Sequence, residues 1–194
     1  MRGGFTLLEV CLGGTLSLLL GLIMIWTLIP TMRYASWGYG RAEVVQASAQ
    51  IAGRLVADLQ SAPLEALTLP EANEKGLLGM HGITAVTDTG QPVYLDHLVL
   101  YNWEAATGSL QRLEWKQGVQ KNLPTVFSLS QIRQCFNRPN NGAHTLARGI
   151  LREFSLSGVC LPLKLHLLVE VPVPGREPQR YSHDQEIYLR NGTR

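Results

Sequence analysis

The sequence predicts an α+β protein in which a long N-terminal helix, apolar in its first half and amphipathic in its second, packs on an antiparallel β-sheet. Three observations support this prediction. Residues 5–32 form a run of 28 residues that contains one charge, and residues 41–60 repeat apolar side chains at helical spacing. From residue 93 onward, short segments rich in β-forming residues alternate with turn signals.

Composition excludes several classes of protein. The 194 residues carry 17 Lys and Arg against 15 Asp and Glu, and this near-balance gives no reason to expect a polyanion as the main partner. With 45% hydrophobic and 16% charged residues, the chain is too apolar to be disordered. Its 3 cysteines exclude a disulfide-dense scaffold. The first 33 residues hold three of the charges, so the apolar excess is local and the remainder has the composition of a soluble domain.

The apolar run is long enough to cross a membrane. A helix of this length would extend about 42 Å, whereas the hydrocarbon core of a bilayer is about 30 Å thick. A cleaved secretory signal is one alternative, but its apolar region spans about 7–15 residues and no small-x-small cleavage site follows this run. A plain signal anchor fits the length but leaves Glu9 unexplained, because a carboxylate inside hydrocarbon costs on the order of 2.5–3.5 kcal/mol and normally has a partner.

The residues around Glu9 match a processing motif. The basic leader Met1-Arg2-Gly3 is followed by Gly4-Phe5-Thr6-Leu7-Leu8-Glu9-Val10, and together they resemble the class III signal of type IV pilins and pseudopilins. In that family a prepilin peptidase cleaves after the glycine and methylates the new N-terminus. The resemblance therefore implies that residues 1–4 are a leader peptide, that cleavage occurs between Gly4 and Phe5, and that Phe5 is N-methylated.

Glu9 is expected to act in assembly. Cleavage would create a cationic amine on Phe5, one helical turn before Glu9. In a bundle of staggered subunits, the amine of an arriving copy and the carboxylate of a resident one would neutralise each other inside lipid or a filament core. The alternative is that Glu9, which lies near the helix start, extends to the cytoplasmic interface.

A stripe of small residues continues from Glu9 on the same helix face. Gly13, Ser17 and Gly21 recur every four residues, which lets neighbouring helices approach closely and predicts a packing surface for assembly. Pro30 lies near the end of the transmembrane or filament-core helix, residues 5–32, and is expected to kink or locally unwind it.

The helix pattern resumes beyond Gly40 and predicts an amphipathic continuation over residues 33–60. One face of this half should pack on a sheet, which is the arrangement of a pilin-like domain. Ser61-Ala62-Pro63 is expected to end the helix. The apolar stripe comprises Val44, Ala47, Ile51, Leu55 and Leu59, with Ala52 and Val56 beside them.

Residues 61–194 are expected to form the exposed antiparallel-sheet domain. Glycines and prolines punctuate residues 64–91, which predicts loops with short strands. Val93 to Trp103 and Ser109 to Trp115 alternate on either side of a turn, which predicts a β-hairpin. Three further strands are predicted at about residues 149–156, 163–171 and 182–189, with a loop over residues 137–142.

Two segments of this domain strengthen the resemblance. Leu100-Tyr101, with Thr107-Gly108-Ser109-Leu110-Gln111-Arg112, resembles a hairpin of larger minor pilins and of J-type pseudopilins of type II secretion. Ile187-Tyr188-Leu189-Arg190-Asn191 resembles the final strand of minor pseudopilins. The resemblance thus implies a pilin-like fold for the whole chain.

Cysteines and histidines point to neither a metal site nor catalysis. Cys135 and Cys160 lie in the part expected to face the exterior, where oxidation would close a loop and stabilise the fold by about 3 kcal/mol. Their separation in space is unknown, so the pairing stays open. Cys11 is expected to be a small packing residue. The 5 histidines are scattered singly, and no nucleophile elbow, phosphate loop or dinucleotide fingerprint is present, so no catalytic residue, metal or cofactor is predicted.

The resemblance implies a structural role, that of a minor pilin or pseudopilin in the tip or initiation complex of a type II secretion pseudopilus or type IV pilus. The implied partners are other pilins or pseudopilins through their N-terminal helices, the prepilin peptidase and the inner-membrane assembly platform. The implied location is the inner (cytoplasmic) membrane, crossed once, with the C-terminal domain in the periplasm or exterior.

A tip minor pilin that binds DNA or a surface is the alternative function. The near-balance of charge outside the anchor argues against a nucleic-acid partner, because backbone binding needs a basic groove or stripe. A cluster of four arginines near the C-terminus keeps nucleic-acid binding open as an alternative: Arg176, Arg180, Arg190 and Arg194. A membrane-tethered hydrolase is a third possibility, but the sequence contains no set of catalytic residues that would support it.

Overall fold

The computed structural model describes residues 6–71, 76–139, 141–158, 161–173 and 177–189. The chain divides into two units, Met1–Ala42 and Glu43–Arg194, and the boundary between them falls inside the first helix. The predicted α+β class is confirmed: an apolar N-terminal helix is followed by antiparallel strands.

Helix α1 spans Leu7–Ser61 and contains both predicted halves. Its predicted end is confirmed, since it stops at Ser61 before Ala62 and Pro63, where the proline disfavours a helical conformation in the residue before it. Pro30 was predicted to kink or locally unwind the helix. The helix runs through Pro30 without interruption, so the local unwinding is wrong, whereas the kink stays a prediction. A proline removes one backbone hydrogen bond, and the turns around it are hydrogen-bonded well enough to continue the helix.

Within the described residues, α1 is followed by a short 3-10 turn at Leu64–Ala66, a second helix and ten strands. We number the strands β1 Leu67–Thr68, β2 Leu77–Met80, β3 Ile83–Val86, β4 Pro92–Tyr94, β5 Leu98–Glu104, β6 Ser109–Trp115, β7 His144–Ala147, β8 Leu151–Ser157, β9 Leu163–Val171 and β10 Gln179–Ile187; helix α2 spans Leu129–Asn137.

The strands form three sheets, so the prediction of a single sheet is wrong. The order is β1-β2-β5-β6-β7 in the largest sheet, β10-β9-β8 in the second and β3-β4 in the third. The two larger sheets are separate because the chain leaves the first one after β7, and β8 pairs with β9 instead. A backbone hydrogen bond from Leu151 N to Gly108 O (3.0 Å) joins the start of β8 to the turn before β6.

The main core lies between the second half of α1 and the two larger sheets. Leu55 and Leu59 on the helix are fully buried, which confirms the predicted apolar stripe. Both sheets supply buried side chains to this core, among them Leu78, Val99, Leu110, Phe154, Leu165 and Leu167. Burial of this kind contributes about 1.5–3 kcal/mol for each large apolar side chain.

Helix α2 covers the opposite face of the five-stranded sheet, and the sequence analysis missed it. Ile132 packs with Leu98 and Leu100 in a second buried cluster. A capping box starts the helix: Ser128 Oγ accepts from the backbone N–H of Gln131 (3.4 Å), and Gln131 Oε1 accepts from the backbone N–H of Ser128 (2.9 Å). Because both faces of this sheet are covered, β5 is buried over Leu98–Tyr101 and alternates only loosely.

The predicted hairpin and later strands are confirmed, with shifted ends. β5 and β6 pair antiparallel, and Gly108 takes a positive φ of 61° in the turn between them. β9 has the predicted bounds. β5 starts at Leu98 rather than Val93, because Val93 and Tyr94 belong to β4 and residues 95–97 separate the two strands. β10 starts three residues earlier than predicted, and Asn137, expected in a loop, is the last residue of α2.

Candidate functional site

The first unit presents an apolar helical surface. The α1 segment Leu7–Met32 is long and apolar enough to cross a membrane. Its large side chains point outward, and Leu18, for example, is 69% exposed. An apolar surface of this size is not stable in water and marks a site that binds lipid or other proteins. We refer to Leu7–Met32 as the apolar segment.

Glu9 lies in the first turn of the apolar segment and caps it. Glu9 Oε2 accepts hydrogen bonds from the backbone N–H of Thr6 (3.0 Å) and from Thr6 Oγ1 (3.0 Å), and the backbone N–H of Glu9 lies 3.4 Å from Thr6 Oγ1. This is a capping box, whose reciprocal bonds satisfy backbone groups that have no partner inside the helix. The pattern Thr-x-x-Glu could have revealed it from the sequence, and the sequence analysis overlooked it.

The small residues of the apolar segment form an open surface. Gly13, Ser17 and Gly21 lie one turn apart along the helix. A Cβ added at Gly13 or Gly21 would meet nothing within 4 Å. The structure therefore leaves this stripe accessible, and its use in helix packing stays a prediction.

Several predicted site residues fall outside the part of the chain that the structure describes. Gly4 and Phe5, the proposed cleavage and methylation residues, are among them, and so is Cys160. The proposed Cys135–Cys160 pairing is therefore not tested. Cys11 is exposed on the apolar segment, whereas Cys135 is buried on α2, where burial raises the pKa of its thiol.

A buried polar network ties α1 to the hairpin in the second unit. Asp58 Oδ2 accepts from Tyr101 Oη (2.6 Å) and from Arg112 Nε (2.7 Å). The Nη1 atom of the same guanidinium donates to Glu114 Oε1 (2.7 Å). Tyr101 and Arg112 are directly opposite each other in the β5–β6 register, so the hairpin pairing itself places both donors against one carboxylate.

Electrostatics keep the two donors of this network, Tyr101 and Arg112, protonated. Burial opposes the charge of Arg112, which is 7% exposed, but the bonds to Asp58 and Glu114 prevail and raise the pKa of the guanidinium. Burial and the Asp58 carboxylate raise the pKa of the Tyr101 phenol, so it stays a donor. The Arg112 bond lowers the pKa of Glu114. We call these four residues the Asp58 network; it is a fixed attachment between helix and sheet.

The sequence analysis did not identify the Asp58 network. It gave Asp58 no role and identified Tyr101 and Arg112 only as part of the hairpin. The partners lie 43 and 54 residues from Asp58 along the chain, and no local pattern connects them.

The exposed face of the β8–β9–β10 sheet carries ion pairs. His166 Nδ1 lies 2.6 Å from Asp184 Oδ1, and its Nε2 lies 3.5 Å from Glu153 Oε2. Glu170 accepts from Arg152 Nε (3.2 Å) and Arg180 Nε (2.7 Å). Within the described ranges, no group of three or more His, Cys, Asp and Glu side chains is arranged to hold a metal ion.

The C-terminal arginines give no basic surface within the described residues. Arg180 donates to the Glu170 carboxylate, so its charge is balanced locally. Arg176, Arg190 and Arg194 lie outside the described residues.

Comparisons with known proteins give no match, whether made with family models, with curated proteins or with solved structures. Any proposal for function therefore depends on the residues and geometry of this chain and on the resemblance of its N-terminal motif.

Proposed function

We propose that the chain is a minor pilin or pseudopilin, a structural subunit of a type IV pilus-like filament. The observation that supports this most is the placement of one carboxylate, Glu9, in the first turn of an otherwise uncharged apolar segment, four residues after Phe5. The packing of the second half of α1 on antiparallel sheets agrees with a pilin-like fold.

The apolar segment has two environments in this proposal. It is stored as a single span of the cytoplasmic membrane, with the second unit on the outer side, and it enters a bundle of like helices during assembly. Apolar burial changes little between the two, so association depends on close packing and on polar pairs. The stripe of Gly13, Ser17 and Gly21 serves the packing.

Glu9 provides the register of assembly. In the single chain its carboxylate is held by Thr6. After processing, the N-methylated amine of a neighbouring Phe5 offers a charged partner, and an ion pair in an apolar surrounding is worth more than the bond to a hydroxyl. The prepilin peptidase and an inner-membrane assembly platform are the proposed partners for these steps.

The test separates the charge of Glu9 from its capping bonds. Glu9→Gln keeps a side chain that completes a capping box but carries no charge, whereas Glu9→Val removes both. Both variants should enter the membrane, begin with N-methyl-Phe5 by mass spectrometry, and copurify with filament partners more than about tenfold less than the parent. Without the Glu9 carboxylate, the Phe5 amine of the neighbouring copy is left as an unpaired charge in an apolar surrounding, which costs about 3–5 kcal/mol.

Glu43→Gln is the matched control, because Glu43 is an exposed carboxylate of α1 outside the apolar segment. It should copurify normally. Normal assembly of Glu9→Gln would show that capping suffices and would contradict the ion-pair mechanism. A purified chain that still begins with Met1 would contradict the proposed function itself.

A further inference from the structure

His81, in the turn between β2 and β3, is fully buried and bonded on both ring nitrogens. Its Nε2 lies 2.8 Å from the carbonyl oxygen of Leu95, and its Nδ1 lies 3.0 Å from the backbone N–H of Thr125. The Tyr94 ring stacks on the imidazole, with centroids 4.8 Å apart.

The two backbone partners determine the tautomer. A carbonyl oxygen can only accept, so Nε2 carries the proton, and a backbone N–H can only donate, so Nδ1 carries none. Protonation of Nδ1 would direct its N–H at the N–H of Thr125. The charged imidazole and the bond to Thr125 therefore exclude each other.

Thr125 belongs to the 116–128 segment, which joins β6 to α2 and has no regular secondary structure. This segment is also held by bonds from Tyr94 N to Lys121 O (2.9 Å) and from Thr68 Oγ1 to Phe127 O (2.6 Å). It carries two exposed apolar side chains, Leu123 and Val126, which are 61% and 49% exposed. The bond to His81 lies between these attachments.

We propose that His81 is a pH-sensitive latch, which holds the 116–128 segment against the β2–β3 turn when neutral and releases it when protonated. The inference concerns the second unit alone and does not depend on the proposed function. The open form would free the middle of the segment, which already carries Leu123 and Val126 on its surface. The last residue of the segment, Ser128, is the N-cap of α2.

The surroundings of the ring favour the neutral form. Burial lowers the pKa of His81 below its ordinary 6.5; the bond to the Leu95 carbonyl acts in the opposite direction, and the nearby His97 adds to the lowering. Of the other titratable groups, Tyr94 stacks on the ring, and its hydroxyl donates to Glu65. Asp96 pairs with His97, and Lys116 and Lys121 act on the Asp96 carboxylate.

The direction of the pH effect follows from the open state. There the imidazole is solvated and takes up a proton near pH 6.5, whereas in the closed state it stays neutral to lower pH. The latch is therefore complete above pH 6.5 and weakens as the pH falls below that value. The open population should rise by up to about tenfold per pH unit until the closed-state pKa is reached.

Hydrogen exchange of the full-length protein in detergent micelles tests the latch. Between pH 7.5 and 5, after correction for intrinsic exchange rates, the amides of residues 118–127 should lose protection by up to about tenfold per unit below pH 6.5. The amides of β9 are the internal reference and should keep theirs. Equal behaviour of the two regions would overturn the proposal.

Two variants and one spectroscopic measurement complete the test. His81→Gln cannot titrate and should remove the pH response of residues 118–127, whereas His97→Gln, at the neighbouring histidine, should keep it. If His81→Gln does not fold, the NMR chemical shifts of the ring carbons and nitrogens of His81 in the parent protein test the proposal instead. They should show a neutral Nε2–H tautomer at pH 7, and an imidazolium at that pH would overturn the latch.

Discussion

The two units of the chain place polar and apolar side chains in opposite ways. The apolar segment of the first unit turns leucines and isoleucines outward and carries its carboxylate at the first turn. The second unit buries most of its leucines and also buries a guanidinium, Arg112. In the second unit every member of the Asp58 network finds its partner in the same chain. The apolar segment offers its surface to lipid or to other helices, which is what the proposed function requires.

Removing one member of the buried network should give the largest effect. Arg112→Ala leaves the largely buried Asp58 carboxylate with the Tyr101 hydroxyl and the more distant, solvent-exposed Arg54. We expect the free energy of unfolding to fall by about 3–5 kcal/mol. Chemical denaturation of the full chain in micelles, followed by tryptophan fluorescence, measures this change.

Arg54→Ala is the matched control for that prediction. Arg54 Nε lies 3.7 Å from the same Asp58 oxygen, but its side chain is 53% exposed. An exposed pair of this kind contributes about 0–1 kcal/mol. Similar losses for the two variants would show that burial does not distinguish the two arginines.

A pair of leucines on one helix sharpens the comparison. Leu55→Ala removes a fully buried side chain from the main core and should lower the free energy of unfolding of the second unit by about 2–5 kcal/mol. Leu18→Ala, on the exposed surface of the apolar segment, should change it by no more than about 0.5 kcal/mol. The same denaturation measurement applies, and an equal loss for Leu18→Ala would mean that its surface is packed within the chain.

Much of this fold could be predicted because its signals are local. The end of α1 at Ser61, the β5–β6 hairpin and the bounds of β9 all follow from periodicity and turn residues within about ten positions. Short strands were predicted among the loops of residues 64–91, where β2 and β3 lie, but their bounds were not, since four residues carry too little periodicity. Helix α2 was missed although Ser128 and Gln131 form a recognisable cap, because its polar residues obscured the apolar face.

The residues of the candidate site also differ in whether the sequence alone could identify them. Glu9 and the small residues of the apolar segment were identified from spacing, and the bond between Glu9 and Thr6 was also available from spacing. The Asp58 network and the His81 latch depend on contacts between residues far apart in the chain. The grouping of strands into three sheets is of the same kind, since pairing partners are set by the packing of the whole unit.

An exposed histidine provides the smallest expected effect and the opposite sign from His81. The hydrogen bond to Asp184 raises the pKa of His166, burial acts weakly against this, and Glu153 adds to the increase. Because the folded-state pKa lies above 6.5, the contribution of His166 to stability is present below pH 6.5 and is lost as the pH rises through the folded-state value.

His166→Gln should therefore lower the Tm at pH 5.5 by about 2 °C or less and leave it unchanged at pH 8.5, since pairs on an exposed sheet face are screened by solvent. Thermal unfolding at the two pH values measures this difference. Ser155→Ala, on the neighbouring strand in register with His166, is the control and should show no pH dependence of its own. A larger loss of Tm at pH 8.5 than at pH 5.5 would contradict the raised pKa of His166. It would also remove the contrast between this exposed, paired histidine and the buried His81.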